Sequence, residues 1–185
     1  MRSLRGFLVI ILCLACLGGH AGYVFLKDKS SLTFTASTWL GDVTGNFADW
    51  SIEGNTTATG PSDLQFKVLV QTQSLNTKKE KRDKHLKTEE YFWVEKYPLA
   101  KFESSQITMK DPGHFHVKGL LNFRGVQKNI EFDANFENSN SLYHVSGNFV
   151  LNRRDFGITT EGIFLVSIRD NVTVNFDVWG NKASP

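Results

Sequence analysis

Cysteine is scarce in this chain, and its distribution removes several kinds of chemistry. The sequence contains 2 cysteines, Cys13 and Cys16, both ahead of Gly18. From Gly18 onward there is therefore no disulfide framework and no thiol nucleophile. The remaining role for these residues is lipid attachment at Cys16. Ala15 suits the position before a lipidated cysteine, whereas Cys13 stands where an aliphatic residue would be expected.

A hydrophobic segment long enough to cross a bilayer comfortably is also missing. The long apolar run of the chain covers residues 7–17, whereas a membrane-spanning helix needs about 20 residues. Arg2 and Arg5 precede this run, and small residues follow it as far as Ala21. The pattern predicts a secretory signal peptide over residues 1–21, cleaved near Ala21, with a retained membrane anchor as the less favoured alternative.

Neither sign of charge dominates once this leader is removed. The whole chain has 21 basic and 19 acidic side chains and a formal net charge of +2. Arg2 and Arg5 would leave with the leader, so the mature chain would be neutral. This balance argues against nucleic acid as a partner and against strong docking on an anionic membrane. We expect one domain over residues 22–182, periplasmic or secreted, with no stable membrane span.

Motifs for catalysis and for cofactors are lacking as well. The sequence has no G-x-S-x-G turn, no H-E-x-x-H helix and no glycine-rich phosphate loop. His114 and His116 share one face of a predicted strand, and His144 could join them. No acidic or cysteine residue is spaced to complete a metal site with them. We therefore predict no enzyme activity, no metal and no cofactor.

Short alternating runs of apolar and polar residues fill most of the chain. Clear examples lie at residues 32–36, 64–70, 130–136 and 172–178. Each has the period of 2 that is typical of a strand with one buried face, and turns such as Asp111-Pro112-Gly113 separate the runs. The pattern predicts an all-β fold of about eight antiparallel strands. Periodicity alone does not choose between a closed barrel and a sandwich.

One stretch, residues 74–104, departs from the strand pattern. Thr77 and Glu80 have the spacing of a capping box, which predicts a helix over residues 78–86. Thr88 would cap a second short helical piece, and Pro98 would end it before strand pattern resumes at Lys101. Charges followed by an aromatic cluster predict a short helical plug, at about residues 78–93, over one opening of the β structure. The alternative is an ordinary excursion that packs its rings on a sheet.

Several motifs of the chain, in order, resemble the signature of the YceI-like family. They are Ser74, Thr77, Arg82-Asp83, His85-Leu86, Phe92, Tyr97-Pro98, Phe102-Glu103-Ser104, Gly119-Leu120, Arg124-Gly125-Val126 with Lys128, and Arg154-Asp155-Phe156-Gly157-Ile158. The resemblance covers roughly residues 23–179. It implies a secreted bacterial protein with a lipocalin-like barrel that binds polyisoprenoid-type lipids.

The inward strand positions are rich in phenylalanine, and Gly119 and Gly147 fall among them. Large rings beside glycine gaps can line a cavity or pack solid, and the residues alone leave both open. The resemblance implies a pocket for a quinone or polyprenyl lipid, carried or stored. The apolar ligand-binding residues predicted from the inward faces and the plug are Phe34, Phe47, Phe66, Val68, Phe92, Trp93, Phe102, Val117, Phe123, Phe132, Phe149 and Phe176.

The charged candidates belong to the rim of this pocket. They are Arg82, Asp83, His85, Arg154 and Asp155. We expect them to hold the plug to the barrel by paired charges, or else to contact the lipid head group. The lysines of residues 78–87 form either a solvated helix face or a basic lip. The alternative function is a packed barrel whose plug, through Tyr91 and Trp93, binds a protein partner; a homodimer is compatible with either function.

Overall fold

The computed structural model describes residues 23–56, 64–139, 142–163 and 166–182. The predicted leader with Cys13 and Cys16 lies outside these residues, as does Phe164. The described elements in chain order are β1 (Tyr23–Phe25), β2 (Ser31–Thr38), β3 (Gly41–Phe47), β4 (Trp50–Thr56), β5 (Leu64–Gln71), β6 (Leu75–Asn76), α1 (Glu80–Leu86), β7 (Leu99–Asp111), β8 (His114–Phe123), β9 (Val126–Ser139), β10 (Leu142–Asn152), β11 (Gly162–Ile163) and β12 (Val166–Lys182). Short 3-10 helices lie at Lys27–Lys29, Thr72–Ser74 and Arg153–Phe156.

The strands form one antiparallel sheet, which confirms the predicted fold class. Its order is β4-β5-β7-β8-β9-β10-β12-β2-β3-β6, with β1 and β11 added to β12. β4 pairs with β5 and β3 pairs with β6. Between these two ladders the Gln71 amide donates a hydrogen bond to the Asp49 carbonyl at 2.9 Å. Because β3 runs directly into β4, the two ends of the order meet and the sheet curls into a lipocalin-like barrel.

The number of strands differs from the predicted eight, since the described residues hold twelve strand segments. The difference has a simple origin. β3 and β4 are two parts of one bent path, and so are β5 and β6, which the 3-10 helix at Thr72–Ser74 interrupts. β1 and β11 are short additions to β12. Counted around the barrel, these segments occupy eight places. The alternating sequence pattern predicts those eight places but not the breaks within a strand.

The apolar residues of the alternating runs face the core, as the sequence predicted. Along β9 the residues from Ile130 to Glu137 alternate between less and more exposed side chains, and Ala134 is buried. The β8–β9 hairpin turns through Arg124 at φ 51° and Gly125 at φ 74°. Two positive φ values are the mark of the tight turn that matches the twist of paired strands.

The predicted start of the helix is wrong by two residues, and the capping box does not form. α1 begins at Glu80, and its N-cap Lys79 makes no side-chain capping bond. Asp83 takes the place expected for Glu80. Its Oδ1 accepts hydrogen bonds from the Thr77 amide at 2.9 Å and the Thr77 hydroxyl at 2.5 Å. Lys78, at φ 62°, reverses the chain before the helix. The side chain of Asp83, which is shorter than that of Glu80 and lies about one turn later, can therefore reach Thr77.

The second predicted helical piece is also absent, because residues 88–97 form turns. The Trp93 amide donates to the Thr88 carbonyl at 2.8 Å and the Tyr97 amide to the Trp93 carbonyl at 2.8 Å. Strand structure resumes at Leu99 rather than at Lys101. We call residues 80–97, α1 with these turns, the plug. Over the part of the chain that the structure describes, no helix has the length and apolar character needed to cross a membrane.

Candidate ligand-binding interior and its plug

The interior next to the plug is built from phenylalanine rings. Phe34 lies 5.5 Å from Phe47 and 5.7 Å from Phe92, measured between ring centroids. Phe92 comes from the plug, and its ring lies 5.3 Å from Phe123 on β8. These rings pack against buried residues from β2, β6, the plug and β12, including Leu86 and Tyr91. The plug therefore contributes to the core directly and does not merely cover it.

The body of the barrel continues this aromatic packing. Phe102 lies 5.7 Å from Phe66 and 5.6 Å from Phe132. Phe132 stacks on Phe149 at 5.1 Å and meets Phe176 at 5.4 Å. The predicted residues Val68 and Val117 belong to the same cluster. Phe123 packs against both clusters, so the two halves of the interior form one continuous apolar lining.

The space beside the inward glycines is taken up by these rings. A Cβ atom at Gly147 would lie 2.5 Å from the Phe176 ring, which belongs to the residue opposite it on β12. One at Gly119 would lie 2.4 Å from the Phe102 ring, and one at Gly45 would lie 2.4 Å from Phe34. Of the two arrangements that the sequence left open at Gly119 and Gly147, the structure shows the one in which the rings pack into the gaps. Each glycine lets a neighbouring phenylalanine lie flat against the sheet, as aromatic rings do over glycine in other sheets.

Trp93 lies apart from the rest of the predicted lining. Its ring meets Tyr97 edge-on at 5.6 Å, and the Lys96 ammonium sits 4.0 Å from the ring centroid. The Arg124 guanidinium lies 5.9 Å from the same centroid. The Trp93 ring thus makes cation–π contacts with Lys96 and Arg124, and its surroundings are polar. The structure therefore groups Trp93 with the outer layer of the plug and groups Phe92, its neighbour, with the interior.

Arg124 joins the plug to the barrel. Its guanidinium donates to the Glu89 carbonyl in the plug at 2.8 Å and to the Phe156 carbonyl in the last 3-10 helix at 3.3 Å. Partial burial lowers the pKa of Arg124 from its ordinary value, and Tyr97 and Glu89 oppose this effect. The Thr160 hydroxyl adds a bond to the Glu90 carbonyl at 3.2 Å. The plug is thus attached by a few directed hydrogen bonds to backbone carbonyls.

The predicted charges Arg82 and Asp83 do not bridge plug and rim. Arg82 donates to the Thr77 hydroxyl at 2.7 Å and to the Thr77 carbonyl at 2.8 Å, while Asp83 accepts from the same residue. His85 pairs with Glu90 within the plug at 2.7 Å. The prediction of paired charges across the rim is wrong for these residues. They fix the entry into α1, since both partners of each contact lie within one short segment.

Arg154 and Asp155 also make contacts other than those predicted. Arg154 pairs with Asp170 at 2.8 Å and with Glu161 at 2.9 Å. Asp155 pairs with Lys128 at 3.3 Å. These contacts tie the 3-10 helix at Arg153–Phe156 to the neighbouring strands and loop. They hold the barrel wall rather than the plug.

Arg153 is the important charged residue that the sequence reasoning missed. Only 5% of its surface is exposed. Its guanidinium donates to the carbonyls of Ile158 at 2.8 Å and Thr160 at 2.6 Å, and it pairs with Asp170 at 2.9 Å. A signal for this was present. Phe149 and Leu151 point inward, so the same period of 2 places Arg153, and not Arg154, on the inner side.

Tyr91 lies in the buried cluster beneath the plug, with 3% of its surface exposed. Its ring meets His85 edge-on at 5.0 Å. Burial raises the pKa of Tyr91 to about 12, the Glu90 carboxylate adds to the rise, and Arg153 opposes it. The phenol is therefore a neutral group at physiological pH and adds no charge to the interior.

The histidines considered for a metal each face a carboxylate. His114 pairs with Asp111, His116 with Asp133 at 2.7 Å, and His144 with Asp177 at 3.0 Å. In the described residues no group of three or more His, Cys, Asp or Glu side chains could hold a metal ion. The carboxylates also meet lysines, and Lys118 and Lys110 lower the pKa of Glu131 and Asp133 respectively. This surface is a network of cross-strand charge pairs.

An aromatic-lined antiparallel barrel with a helical plug defines a lipocalin-like protein. The match to the family model for the YceI-like domain covers residues 23–179. The chain therefore belongs to the YceI-like family, which confirms the resemblance carried by its motifs.

Relatives and solved structures agree with this assignment. A protein named UPF0312 from Pseudomonas savastanoi pv. phaseolicola is 32% identical over 124 residues, or 64% of this chain and 65% of the relative. The chain thus spans just under two thirds of that relative's length. Burkholderia cenocepacia BcnA has a TM-score of 0.78 at 17% identity, over 84% of this chain and 98% of its own.

A further structure, described as a polyisoprenoid binding domain from Saccharophagus degradans implicated in plant cell wall breakdown, has a similar fold. Its TM-score is 0.69 at 16% identity, over 89% of this chain and all of its own. At this identity the likeness establishes the fold only.

Proposed function

We propose that this protein binds a long apolar lipid of the isoprenoid type, such as a quinone or polyprenyl compound, inside its barrel for transport or storage. The observation that supports this most is the continuous lining of phenylalanine rings from Phe34 beneath the plug to Phe176 in the body. Each methylene of a lipid tail buried there would contribute roughly 0.8 kcal/mol. Eleven of the twelve predicted lining residues, all except Trp93, would contact the tail.

The rings over the inward glycines impose a condition on this proposal. Phe34, Phe102 and Phe176 lie against the glycines and take up part of the interior that a lipid tail would use. Binding would therefore require rings in the interior to move, and the space beside the glycines gives them no further room because the rings already occupy it. Ligand entry would also need the plug to move, because Phe92 fills the space between Phe34 and Phe123.

A binding role without catalysis is part of the proposal, as is location in the periplasm or outside the cell. The family relationship supports the first, together with the neutral state of Tyr91 in the interior. The apolar leader pattern at residues 7–17 supports the second. Cell fractionation with N-terminal sequencing of the mature protein would test location. A protein that keeps its first residues and stays in the cytoplasm would contradict it.

A second candidate function follows from the same ring packing. If the phenylalanines fill the barrel permanently, the protein is a packed domain that binds a protein partner through its plug. The paired rings of Trp93 and Tyr97 support this alternative, because aromatic side chains are enriched at protein interfaces. In that case Trp93→Ala would abolish partner binding and leave lipid content unchanged.

Extraction of the purified protein with organic solvent, followed by mass spectrometry, would decide between the two. The lipid proposal expects a stoichiometric isoprenoid, or uptake of added quinone by the extracted protein. Two adjacent residues of β10 offer a matched pair of variants. Phe149→Asn places an amide inside the barrel and should reduce uptake, whereas Val150→Asn alters a side chain that is 57% exposed and should not. No bound lipid and no uptake would exclude this function.

A further inference from the structure

The most exposed large apolar side chains among the described residues are two neighbours at one hairpin tip. Trp39 is 71% exposed and Leu40 is 65% exposed. They connect β2 to β3, and the turn is ordered by its own hydrogen bonds. The Thr38 hydroxyl donates to the Gly41 carbonyl at 2.6 Å and accepts from the Leu40 amide at 3.2 Å. The turn therefore presents both side chains to solvent in a defined arrangement.

This tip lies at the plug end of the barrel. Thr38 pairs with Ile168 on β12, and Ile168 belongs to the same buried cluster as Leu86 of α1 and Tyr91 of the plug. The chain that leads into α1 runs toward the same end of the barrel before it turns at Lys78. β6 runs antiparallel to β3, so after pairing with Phe47 at Leu75 it proceeds toward the Gly41 end of β3.

Exposed lysines accompany the apolar tip. Lys78 and Lys79 directly precede α1 and Lys81 lies in its first turn, and all three are exposed. Lys84 is paired with Glu80 at 2.8 Å, so this acidic residue is already neutralised. Asp42, next to the tip, is the acidic residue closest to it along the chain. Residues 38–42 and 76–81 together hold three lysines and two acidic residues, of which Glu80 is paired, so basic side chains outnumber acidic ones there.

We propose that Trp39, Leu40, Lys78, Lys79 and Lys81 form a docking surface for an anionic phospholipid bilayer. The large apolar side chains would enter the interface between head groups and acyl chains, and the lysines would contact the phosphates. The inference rests on the proposed function, because a lipid carrier exchanges its cargo at a membrane. It adds that the barrel docks with its plug facing the bilayer, so the lipid tail can pass between the two without crossing water.

Sedimentation with lipid vesicles tests this docking surface. The purified protein is expected to bind vesicles of equal parts phosphatidylcholine and phosphatidylglycerol, and to bind phosphatidylcholine alone more weakly. Trp39→Ser combined with Leu40→Ser should weaken binding to the anionic vesicles about tenfold or more. Met109→Ser is the matched control, because Met109 is 55% exposed at the opposite end of the barrel.

Charge-reversal variants test the role of the lysines separately from that of the apolar tip. Lys81→Glu should weaken binding to anionic vesicles about tenfold. Lys29→Glu, at the other end of β2, carries the same charge change and should have little effect. High salt should abolish the difference between these two variants.

The outcomes separate docking from lipid binding. The docking surface would be overturned if the protein failed to bind anionic vesicles, or if the tip variants bound them as well as their controls. Quinone uptake in solution would still test the proposed function separately. Loss of self-association in the tip variants without any vesicle binding would assign the tip to contact between two copies of the chain, and would also overturn the proposal. A tip variant that takes up quinone from solution normally but not from vesicles would support it.

Discussion

At the plug end of the barrel, segments far apart in sequence are joined by single hydrogen bonds, whereas at the opposite end consecutive strands are joined by continuous ladders. Arg124 reaches Glu89, and Thr160 reaches Glu90, each through one backbone carbonyl. At the other end Phe115, Phe136 and Tyr143 pack ring on ring across strands that are already paired. The plug end is therefore held by a few hydrogen bonds and by the apolar side chains that the plug buries, whereas the opposite end is held by continuous strand pairing.

The largest expected effect concerns the buried arginine near the plug. Arg153→Met removes the donors to the carbonyls of Ile158 and Thr160. We expect a loss of about 3–5 kcal/mol in the free energy of unfolding, measured in urea, because buried partners are left unpaired. The neighbouring Arg154→Met should cost under about 1 kcal/mol, since its pairs are exposed. Equal costs for the two variants would contradict the distinction between them.

High pH should weaken the plug end selectively. The pKa of Tyr91 is raised to about 12 in the folded state, so the stability linked to its neutral form is present below pH 10 and is lost as pH rises from about 10 to 12. The rise corresponds to roughly 3 kcal/mol, which is an upper bound for the loss. Urea unfolding of Tyr91→Phe should show a smaller decrease across this range than the unmodified protein. Identical pH profiles would contradict the assignment.

The packing of rings over glycines can be tested in the body of the barrel. A methyl group at position 147 would lie 2.5 Å from the Phe176 ring and 2.7 Å from the Asp133 carbonyl oxygen. Gly147→Ala should therefore cost about 2 kcal/mol in urea unfolding. Gly54→Ala is the control, because its nearest neighbouring atom would be 3.9 Å away. A neutral result at Gly147 would mean that the Phe176 ring moves aside easily.

The smallest effect on stability, and the most local, is expected at the junction of plug and barrel. Arg124→Ala removes the hydrogen bond to the Glu89 carbonyl. We expect amide hydrogen exchange in residues 88–97 to accelerate about tenfold, which corresponds to roughly 1.4 kcal/mol. Exchange in β8 and β9 near Phe115 and Phe136 should stay unchanged. Acceleration at both ends alike would show that the plug does not open independently.

The candidate interior was more predictable from the sequence than its charged rim. Period 2 assigns Phe132 and Phe149 to the inner face without any knowledge of neighbours, and the structure places both there. The contacts of the charged rim residues depend on how turns redirect the chain. Lys78 at φ 62° brings Asp83 rather than Glu80 back to Thr77, and no spacing rule anticipates that reversal.

The sequence by itself determined the family, the antiparallel β fold and the aromatic character of the interior, because alternation and composition act locally and repeat along every strand. The tertiary structure decided which spaces are filled and which charges meet. Gly147 offers room only until Phe176 on another strand occupies it. Trp39 and Leu40 read as ordinary turn residues until the pairing of β6 with β3 directs the segment before α1 toward the same end of the barrel. Such outcomes depend on contacts between segments distant in the chain, which a local pattern does not encode.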